Sequence, residues 1–360
     1  MTKVYIKVKI KFYIIFLLIG GNISAQALSP APRELCKFDE VYQLPKEIEF
    51  VDDYCYSKDI QPLIVVKKDN KQGLIDRQGN IEIPLEYESI EQFHGKRALV
   101  GQNGKFGYID EQNNIVIPIL YDGFKNLFDH EIFSVKNNNK YGFISDKGVL
   151  ITDIIYDDVG YFSEGLGPVG LEDKYGFVSE KGKLVIPIEY DEVGNFTNGL
   201  AKVKKGGRYG AINKSNKVII PLEYDSIGPL YPKLIKVANH DKYGYVDIKG
   251  KVVIPLQFDD ANDFINYIPF AKVKKENKYG VINNKGKVII PFEYDSIGNL
   301  NASLIVVEKN DKYGYVDQKG TLVIPLQYDS ASSFDENTAS VRVGEEWFKI
   351  NKQGERVERE

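Results

Sequence analysis

One short pattern repeats from near residue 72 almost to the end of the chain, and it limits the possible folds more than any other feature. An aromatic residue followed by glycine recurs at Phe106-Gly107, Tyr141-Gly142, Tyr175-Gly176, Tyr209-Gly210, Tyr243-Gly244, Tyr279-Gly280 and Tyr313-Gly314. Successive glycines are 34 to 36 residues apart. Gln72-Gly73 and Trp347-Phe348 each keep half of the pair, 34 residues outside the first and last copies. A fixed period of this length predicts a tandem-repeat protein with terminal cap units.

A second set of positions keeps the same period and predicts a turn. Three residues after each glycine position comes a short polar residue, as at Asp76 and Asn213. Three residues further on comes glycine in seven of the nine copies, and asparagine at Asn113 and Asn216. Asp, Asn or Ser is favoured at the first position of a type I turn, and a left-handed residue after such a turn is usually Gly or Asn. The spacing therefore predicts a β-hairpin closed by a type I turn with a glycine bulge.

Each predicted turn is followed by a β-branched run that ends in proline, as in Lys217-Val218-Ile219-Ile220-Pro221. Two of the nine copies lack the proline: Asp153 replaces it in one, and the last copy has no such segment after Gly354. An aromatic–acid pair follows, as at Tyr190-Asp191, Tyr224-Asp225 and Tyr294-Asp295. Another run, such as residues 200–203, precedes each aromatic–glycine pair. One unit therefore reads as three short antiparallel strands and a loop, with no helical period between residues 63 and 354.

A three-stranded unit of about 34 residues cannot bury its apolar face alone, so the units must stack. The predicted fold is all-β, with the units stacked as an open, twisted superhelical array. The alternative is a closed, propeller-like ring, because Pro45, Glu49 and Phe50 weakly resemble the segment missing after Gly354. We favour the open array, since propeller blades usually need 40 or more residues.

The first 25 residues predict an export signal. Lys3, Lys7, Lys9 and Lys11 precede the apolar stretch 12–19, and small residues allow cleavage after Ala25 or Ala27. The stretch is much shorter than the ~20 residues that span a bilayer, which favours a cleaved signal. An uncleaved anchor helix is the alternative. Residues 26–62 form an N-terminal cap segment, and residues 63–360 form the repeat domain of about eight and a half units. Removal of the signal changes the net charge from −4 to −8.

Export also decides how the only two cysteines are interpreted. Cys36 and Cys55 both precede the repeats, and in an oxidising compartment a disulfide between them closes a short loop. Two free thiols are the alternative. The sequence places the mature protein in the periplasm, at the cell surface or outside the cell, without choosing among them.

The phrase 277–295, NKYGVINNKGKVIIPFEYD, resembles the WG β-repeat, which is common in exported bacterial proteins. The resemblance extends over about residues 63–354. This chain has Tyr or Phe where the family usually has Trp, so it keeps the ring and loses the indole donor. The resemblance implies an all-β repeat protein without an assigned catalytic activity, and it implies no functional residues.

Little in the sequence predicts catalysis. No Gly-x-Ser-x-Gly, His-Glu-x-x-His, phosphate-loop or Cys-x-x-Cys motif occurs, and the three histidines fall at unrelated positions in their units. We therefore expect no enzyme activity, no catalytic or metal-binding residues and no cofactor. The acidic net charge argues against nucleic-acid binding, and we expect no stable membrane insertion after signal removal.

Two patterns remain as candidate binding surfaces. The first is the set of aromatic–acid pairs Tyr190-Asp191, Tyr224-Asp225 and Tyr294-Asp295. If these pairs are exposed, they form a surface ladder that can bind a cell-envelope glycan. Otherwise each ring lies in the core and each acid caps a turn. Lysines cluster near the aromatic–glycine hairpins, as at 202–205 and 272–275, and form either a basic stripe or edge-strand protection. A non-enzymatic protein presenting a β surface to a protein partner is the first functional hypothesis, and a glycan-binding module is the alternative.

Overall fold

The computed structural model describes residues 49–52, 63–76, 78–125, 132–231, 233–265 and 268–357, and among these it contains strands and turns but no helix. The strands form nine separate antiparallel sheets, which we number 1 to 9 along the chain. Eight sheets have four strands, which we name in chain order the lead strand, the first and second hairpin strands and the proline strand. Spatial order in each sheet follows chain order, so every connection is local.

The strands have the following bounds. The lead strands are Glu49–Asp52, Ser89–Ile90, Gly123–Lys125, Asp158–Val159, Glu192–Val193, Ser226–Ile227, Asp260–Ala261, Ser296–Ile297 and Ser330–Ala331. The first hairpin strands are Ile64–Lys68, Arg97–Gln102, Ile132–Asn137, Leu166–Leu171, Leu200–Lys205, Leu234–Asn239, Phe270–Lys275, Leu304–Lys309 and Ala339–Val343. The second hairpin strands are Lys71–Ile75, Lys105–Asp110, Lys140–Ser145, Lys174–Ser179, Arg208–Asn213, Lys242–Asp247, Lys278–Asn283, Lys312–Asp317 and Glu346–Ile350. The proline strands are Ile81–Tyr87, Ile115–Tyr121, Leu184–Tyr190, Val218–Tyr224, Val252–Phe258, Val288–Tyr294 and Leu322–Tyr328, with Arg356–Val357 as a short counterpart in sheet 9.

The lead strands extend the predicted three-stranded unit to four strands. Most have only two residues and directly follow the aromatic–acid pair, too short for alternation to reveal them from the sequence. The lead strand of sheet 1, Glu49–Asp52, pairs with Ile64–Lys68 and lies within the segment assigned to the N-terminal cap. That segment therefore completes the first sheet.

Both hairpins of each unit depend on left-handed residues. The predicted turns are confirmed, since all seven glycines at that position have positive φ and Asn113 and Asn216 have φ of 63° and 60°. A second tight turn, which the sequence analysis did not identify, joins the two hairpin strands. Two consecutive residues there have positive φ, as at Asn138 and Asn139 or His240 and Asp241, as in a type I′ turn.

The glycine of the aromatic–glycine pair allows close contact with the proline strand of its own sheet. A Cβ atom built on Gly244 would lie 2.6 Å from the carbonyl oxygen of Ile254, in the proline strand of its own sheet. That strand is bulged, because register shifts separate the pairs Tyr243–Phe258, Tyr245–Ile254 and Val246–Val252. The bulged backbone occupies the space that a side chain would need.

The hydrophobic core lies between neighbouring sheets. In sheet 5, Ala211 packs in a cluster with residues of sheet 6, whereas the adjacent Ile212 packs with residues of sheet 4. Both are completely buried. A sheet inside the array therefore has two buried faces, and the array is held by sheet-on-sheet packing.

The last sheet ends this stacking. In sheets 1 to 8, the residue equivalent to Ala211 is apolar or aromatic and is buried, as at Tyr245 and Tyr315. In sheet 9 the equivalent residue is Lys349, which is exposed. Thr338 and Ser340 similarly replace residues of the face that points toward a following sheet. A polar outer face is typical of a terminal cap. No strand pairing joins the first and last described sheets, so the predicted open arrangement fits.

Sheet 3 is irregular where the sequence departs from the repeat. Residues 149–156 make only isolated bridges, Ile144–Leu150 and Tyr141–Tyr156, where other units have a seven-residue proline strand. Thr152 takes the place of the buried isoleucine of other units, and its Oγ1 accepts a hydrogen bond of 2.9 Å from the Phe143 backbone N–H. The side chain therefore satisfies a backbone donor in the buried interior.

Candidate interaction surface

The three tyrosines of the predicted surface ladder are buried. Tyr190, Tyr224 and Tyr294 are 3%, 3% and 4% exposed. Tyr190 and Tyr224 belong to the clusters between sheets 4 and 5 and between sheets 5 and 6. The prediction of an exposed aromatic ladder is therefore corrected: the last residue of each proline strand points inward, where its ring fills the space between sheets.

The aspartates of the same pairs join neighbouring units. Asp191 Oδ1 accepts a hydrogen bond from Lys174 of sheet 4, and its Oδ2 accepts one of 3.2 Å from the Gly207 N–H of sheet 5. Asp225 binds Arg208 and the His240 N–H, and Asp295 binds Lys278 and the Asn310 N–H, in the same arrangement. Asp122, Asp157, Asp259 and Asp329 repeat it. We name these seven residues the aspartate clamps.

The clamps leave little freedom for a ligand. Both carboxylate oxygens of each are engaged, one by a cation and one by the tight turn of the next sheet. In six of the clamps the pKa of the aspartate lies below its usual range, mainly because the neighbouring lysine donates a hydrogen bond to the carboxylate. The hydrogen bond from the turn N–H lowers the pKa further. The six are Asp122, Asp157, Asp191, Asp259, Asp295 and Asp329. They are therefore ionised structural groups near neutral pH.

The lysine clusters near the first hairpin also differ from the prediction. Lys202, Lys204 and Lys205 lie on a first hairpin strand, which is an inner strand of its sheet, so edge-strand protection was the wrong interpretation. Lys204 and Lys205 pair with Glu192 and Glu189 at 2.6 and 2.7 Å. Lys204 and Lys205 are therefore neutralised locally.

A row of exposed apolar side chains lies elsewhere, in sheets 1 to 8, two residues after the turn glycine or asparagine. Its members are 44–59% exposed although all are Val, Ile or Leu. They are Ile81, Ile115, Leu150, Leu184, Val218, Val252, Val288 and Leu322. We name this set the proline-strand ridge. A single exposed apolar residue is ordinary, but one at the same place in eight consecutive units forms a row.

Close backbone contacts join neighbouring units beside the ridge. A Cβ atom built on Gly250 would lie 2.0 Å from the Ile219 carbonyl oxygen of the preceding sheet. Because Gly250 is two residues before Val252 and Ile219 follows Val218, this contact places the two ridge residues side by side. Gly182 and Gly320 make the same approach to Ile151 and Ile289.

The proline strand controls what can bind at the ridge. It is the edge strand of its sheet, so one side of its backbone has no strand partner. Pro221 is exposed and has no N–H to donate, which blocks regular strand addition. The bulge at Ile219 shifts the register between Val218 and Ile220, leaving Val218 exposed while Ile220 is buried. Recognition there must therefore use side chains.

Sequence reasoning identified the β-branched run and its proline but did not identify the ridge. Alternation alone places Val218 and Ile220 on one face of the strand. The bulge that separates them lies opposite Ala211 and Ile212, which pair with Ile220 and Val218. A repeated apolar residue directly after a predicted turn was the available signal.

Other predicted features either fall outside the described residues or show no site. Cys36, Cys55 and the predicted signal lie outside the described part of the chain. Within the described residues, no group of three or more His, Cys, Asp or Glu side chains is arranged to hold a metal ion. The same part of the chain has no helix with the length and apolarity to cross a bilayer.

Comparison with known families agrees with the architecture. The model described as "WG containing repeat" matches residues 73–106, 106–141, 141–175, 175–209, 209–242, 243–279, 279–313 and 313–347. These matches extend over most of the chain and follow its own period. The chain belongs to the WG repeat family. No curated protein matches it.

Solved structures resemble the chain only distantly. A eukaryotic initiation factor is 11% identical with a TM-score of 0.34, over 83% of this chain and 95% of that one. The surface component PorZ of the type-IX secretion system of Porphyromonas gingivalis is 8% identical with a TM-score of 0.25, over 87% and 53%. The extracellular domain of a putative one-component system from B. thetaiotaomicron is 10% identical with a TM-score of 0.27, over 83% and 58%. Resemblances this weak do not indicate a function.

Proposed function

We propose that this chain is an exported, non-enzymatic repeat protein that binds a protein partner along the proline-strand ridge. The observation that carries the proposal is the contiguous row of eight apolar side chains, each 44–59% exposed. Contiguous apolar surface of this kind is typical of interaction sites, because binding removes it from water. Export rests on the basic and apolar N-terminal residues 1–25.

The glycan-binding alternative has less support. It required exposed rings at Tyr190, Tyr224 and Tyr294, and those rings are buried. The adjacent aspartates Asp191, Asp225 and Asp295 are engaged by cations and backbone N–H groups. A protein partner with apolar side chains is a better match to the Val, Ile and Leu residues of the ridge than a sugar chain is.

Affinity capture with matched variants tests the proposal. The mature chain and a ridge variant with Val218→Ser, Val252→Ser and Val288→Ser are used to capture proteins from envelope extracts, followed by mass spectrometry. The control variant carries Tyr231→Ser, Ile265→Ser and Val343→Ser, which are exposed to 54%, 41% and 49% away from the ridge. We expect specific partners to be lost only with the ridge variant.

Two results would contradict the proposal. Identical capture by the wild type and the ridge variant would show that the ridge is not the binding surface. A point substitution that abolishes turnover of a substrate, with circular dichroism unchanged, would show that the protein is an enzyme.

A further inference from the structure

An unneutralised row of lysines accompanies one part of the ridge. Its members lie in or next to the glycine turns of sheets 4 to 7 and are all exposed. They are Lys181, Lys183, Lys217, Lys249, Lys251, Lys285 and Lys287. We name them the lysine row. Within the described residues none of the seven forms an ion pair. By contrast, Lys214, which lies in the glycine-position turn of sheet 5, pairs with Glu164 at 3.1 Å.

This part of the surface differs from the rest of the same rim. In sheets 1 and 2 the corresponding turns carry acids, Asp76, Asp110 and Glu111, and the residues after the turn are Asn80 and Asn114. In sheets 5 and 7 the first turn position is the neutral Asn213 or Asn283. Lysine directly after the turn, at Lys183, Lys217, Lys251 and Lys287, is therefore confined to sheets 4 to 7, although Glu180 and Asp247 lie in two of these turns and Lys147 and Lys319 lie in the turns of sheets 3 and 8. This local concentration is more typical of a site than of general solubility.

The lysine row and the ridge lie next to each other. Lys217 directly precedes Val218, Lys251 precedes Val252, and the contact between Gly250 and Ile219 brings the two turns together. A strip results in which each unit of sheets 4 to 7 contributes a lysine and the ridge residue that follows it in the sequence. Such a strip complements a chain that carries both carboxylates and apolar groups.

We propose that the occupant of this strip is an extended, acidic segment of a protein partner. The inference rests on the proposed protein-binding function. Stacked sheets lie about 10 Å apart and an extended chain advances about 3.3 Å per residue, so about three residues of the segment pass each unit. The segment therefore repeats one apolar and two acidic residues in each triplet, with its apolar side chains on the valines and its carboxylates on the lysines. Pro221 and Pro255 prevent it from adding as a regular strand, so side chains hold it.

Fluorescence anisotropy with the folded mature chain tests the proposal. The probe is a fluorescein-labelled peptide of five Glu-Val-Glu triplets, and the comparison peptides replace Val by Ser or Glu by Lys. We expect Kd for the Glu-Val-Glu peptide to rise about tenfold for the variant K217E/K251E/K287E, because charge is reversed in three successive units. Raising NaCl from about 50 to about 500 mM should weaken the same complex.

A matched variant separates local from overall charge. K96E/K233E/K349E makes the same change of charge at exposed lysines away from the ridge. We expect it to change Kd less than twofold. Circular dichroism and gel filtration establish that both variants fold.

Each other outcome overturns the proposal. No binding of the Glu-Val-Glu peptide, equal binding of the Glu-Ser-Glu peptide, or equal weakening by both triple variants excludes an acidic segment with apolar contacts. Binding to phosphatidylglycerol vesicles that requires Lys217, Lys251 and Lys287, without peptide binding, assigns the strip to an anionic membrane. Capture that depends on Val218, Val252 and Val288 while the peptide fails leaves the proposed function standing and removes this inference alone.

Discussion

The phenol of Tyr190 donates a hydrogen bond of 2.7 Å to the amide oxygen of Asn216, which belongs to the next unit. Asn113 accepts the same bond, at 2.8 Å, from Tyr87. These are the two positions where asparagine replaces the turn glycine. The substitution therefore keeps the left-handed turn and adds a bond to the buried tyrosine of the preceding sheet.

Replacing Asn216 by alanine should destabilise the protein by about 2 kcal/mol, because the Tyr190 hydroxyl loses its partner and alanine is strained at φ of 60°. Asn216→Gly should cost about 1 kcal/mol less, since glycine relieves the strain. Urea unfolding of both variants, compared with Tyr190→Phe, measures the two contributions. Equal losses for alanine and glycine would contradict the role of backbone strain.

The aromatic–glycine pair gives a second stability prediction. Gly244→Ala should destabilise by about 3 kcal/mol, because the new Cβ would be 2.6 Å from the Ile254 carbonyl oxygen and the bulged strand must move. Gly194→Ala is the control, since its Cβ would meet nothing closer than 3.7 Å. The control should be stabilised by about 0.5 kcal/mol, because alanine lowers the conformational entropy of the unfolded chain. A similar urea midpoint for the two variants would show that close packing does not explain why this glycine recurs from unit to unit.

Much of the unit could be predicted from the sequence for a physical reason. Left-handed turns and proline are restrictive at single positions, so Gly250 marks a turn and Pro255 marks an edge strand without knowledge of tertiary structure. The strand Val252–Phe258 continues past Pro255 and does not end at it. The lead strand Ser226–Ile227 has two residues and no pattern of its own, so the sequence does not reveal it.

The candidate surface was less predictable, because it depends on tertiary contacts. Val218 begins a proline strand and Tyr224 ends the same strand. Val218 is 44% exposed, whereas Tyr224 is 3% exposed. The bulge at Ile219 and the packing of Tyr224 between sheets determine the difference. Neither is visible in a single copy of the repeat.

Acid should loosen the array through the aspartate clamps. The folded-state pKa of Asp259 is lowered by Lys242 and by the Glu276 N–H, so the unfolded chain binds its proton more readily. The stabilisation is therefore present at pH above about 4 and is lost as the pH falls through the folded-state pKa. We expect the urea midpoint to fall between pH 5 and pH 2.5.

The variant Asp259→Asn isolates one clamp. It should have a lower urea midpoint than wild type at pH 7, and a smaller further loss in acid, because one titrating contact between sheets 6 and 7 is already absent. An acid-induced loss as large as that of the wild type would show that this clamp does not contribute to the pH dependence.

Sheet 3 should be the least protected part of the interior of the array. Its segment 150–155 lacks a regular strand, whereas the equivalent segment 218–223 belongs to a complete proline strand. Because local opening is easiest where ladder hydrogen bonds are few, amides in the first segment should exchange with deuterium at least about tenfold faster. Hydrogen exchange read by mass spectrometry compares the two segments in one sample. The double variant Thr152→Ile, Asp153→Pro restores the residues of the other units and should slow exchange at neighbouring amides. Equal rates in the two wild-type segments would show that the isolated bridges protect sheet 3 as well as a strand does.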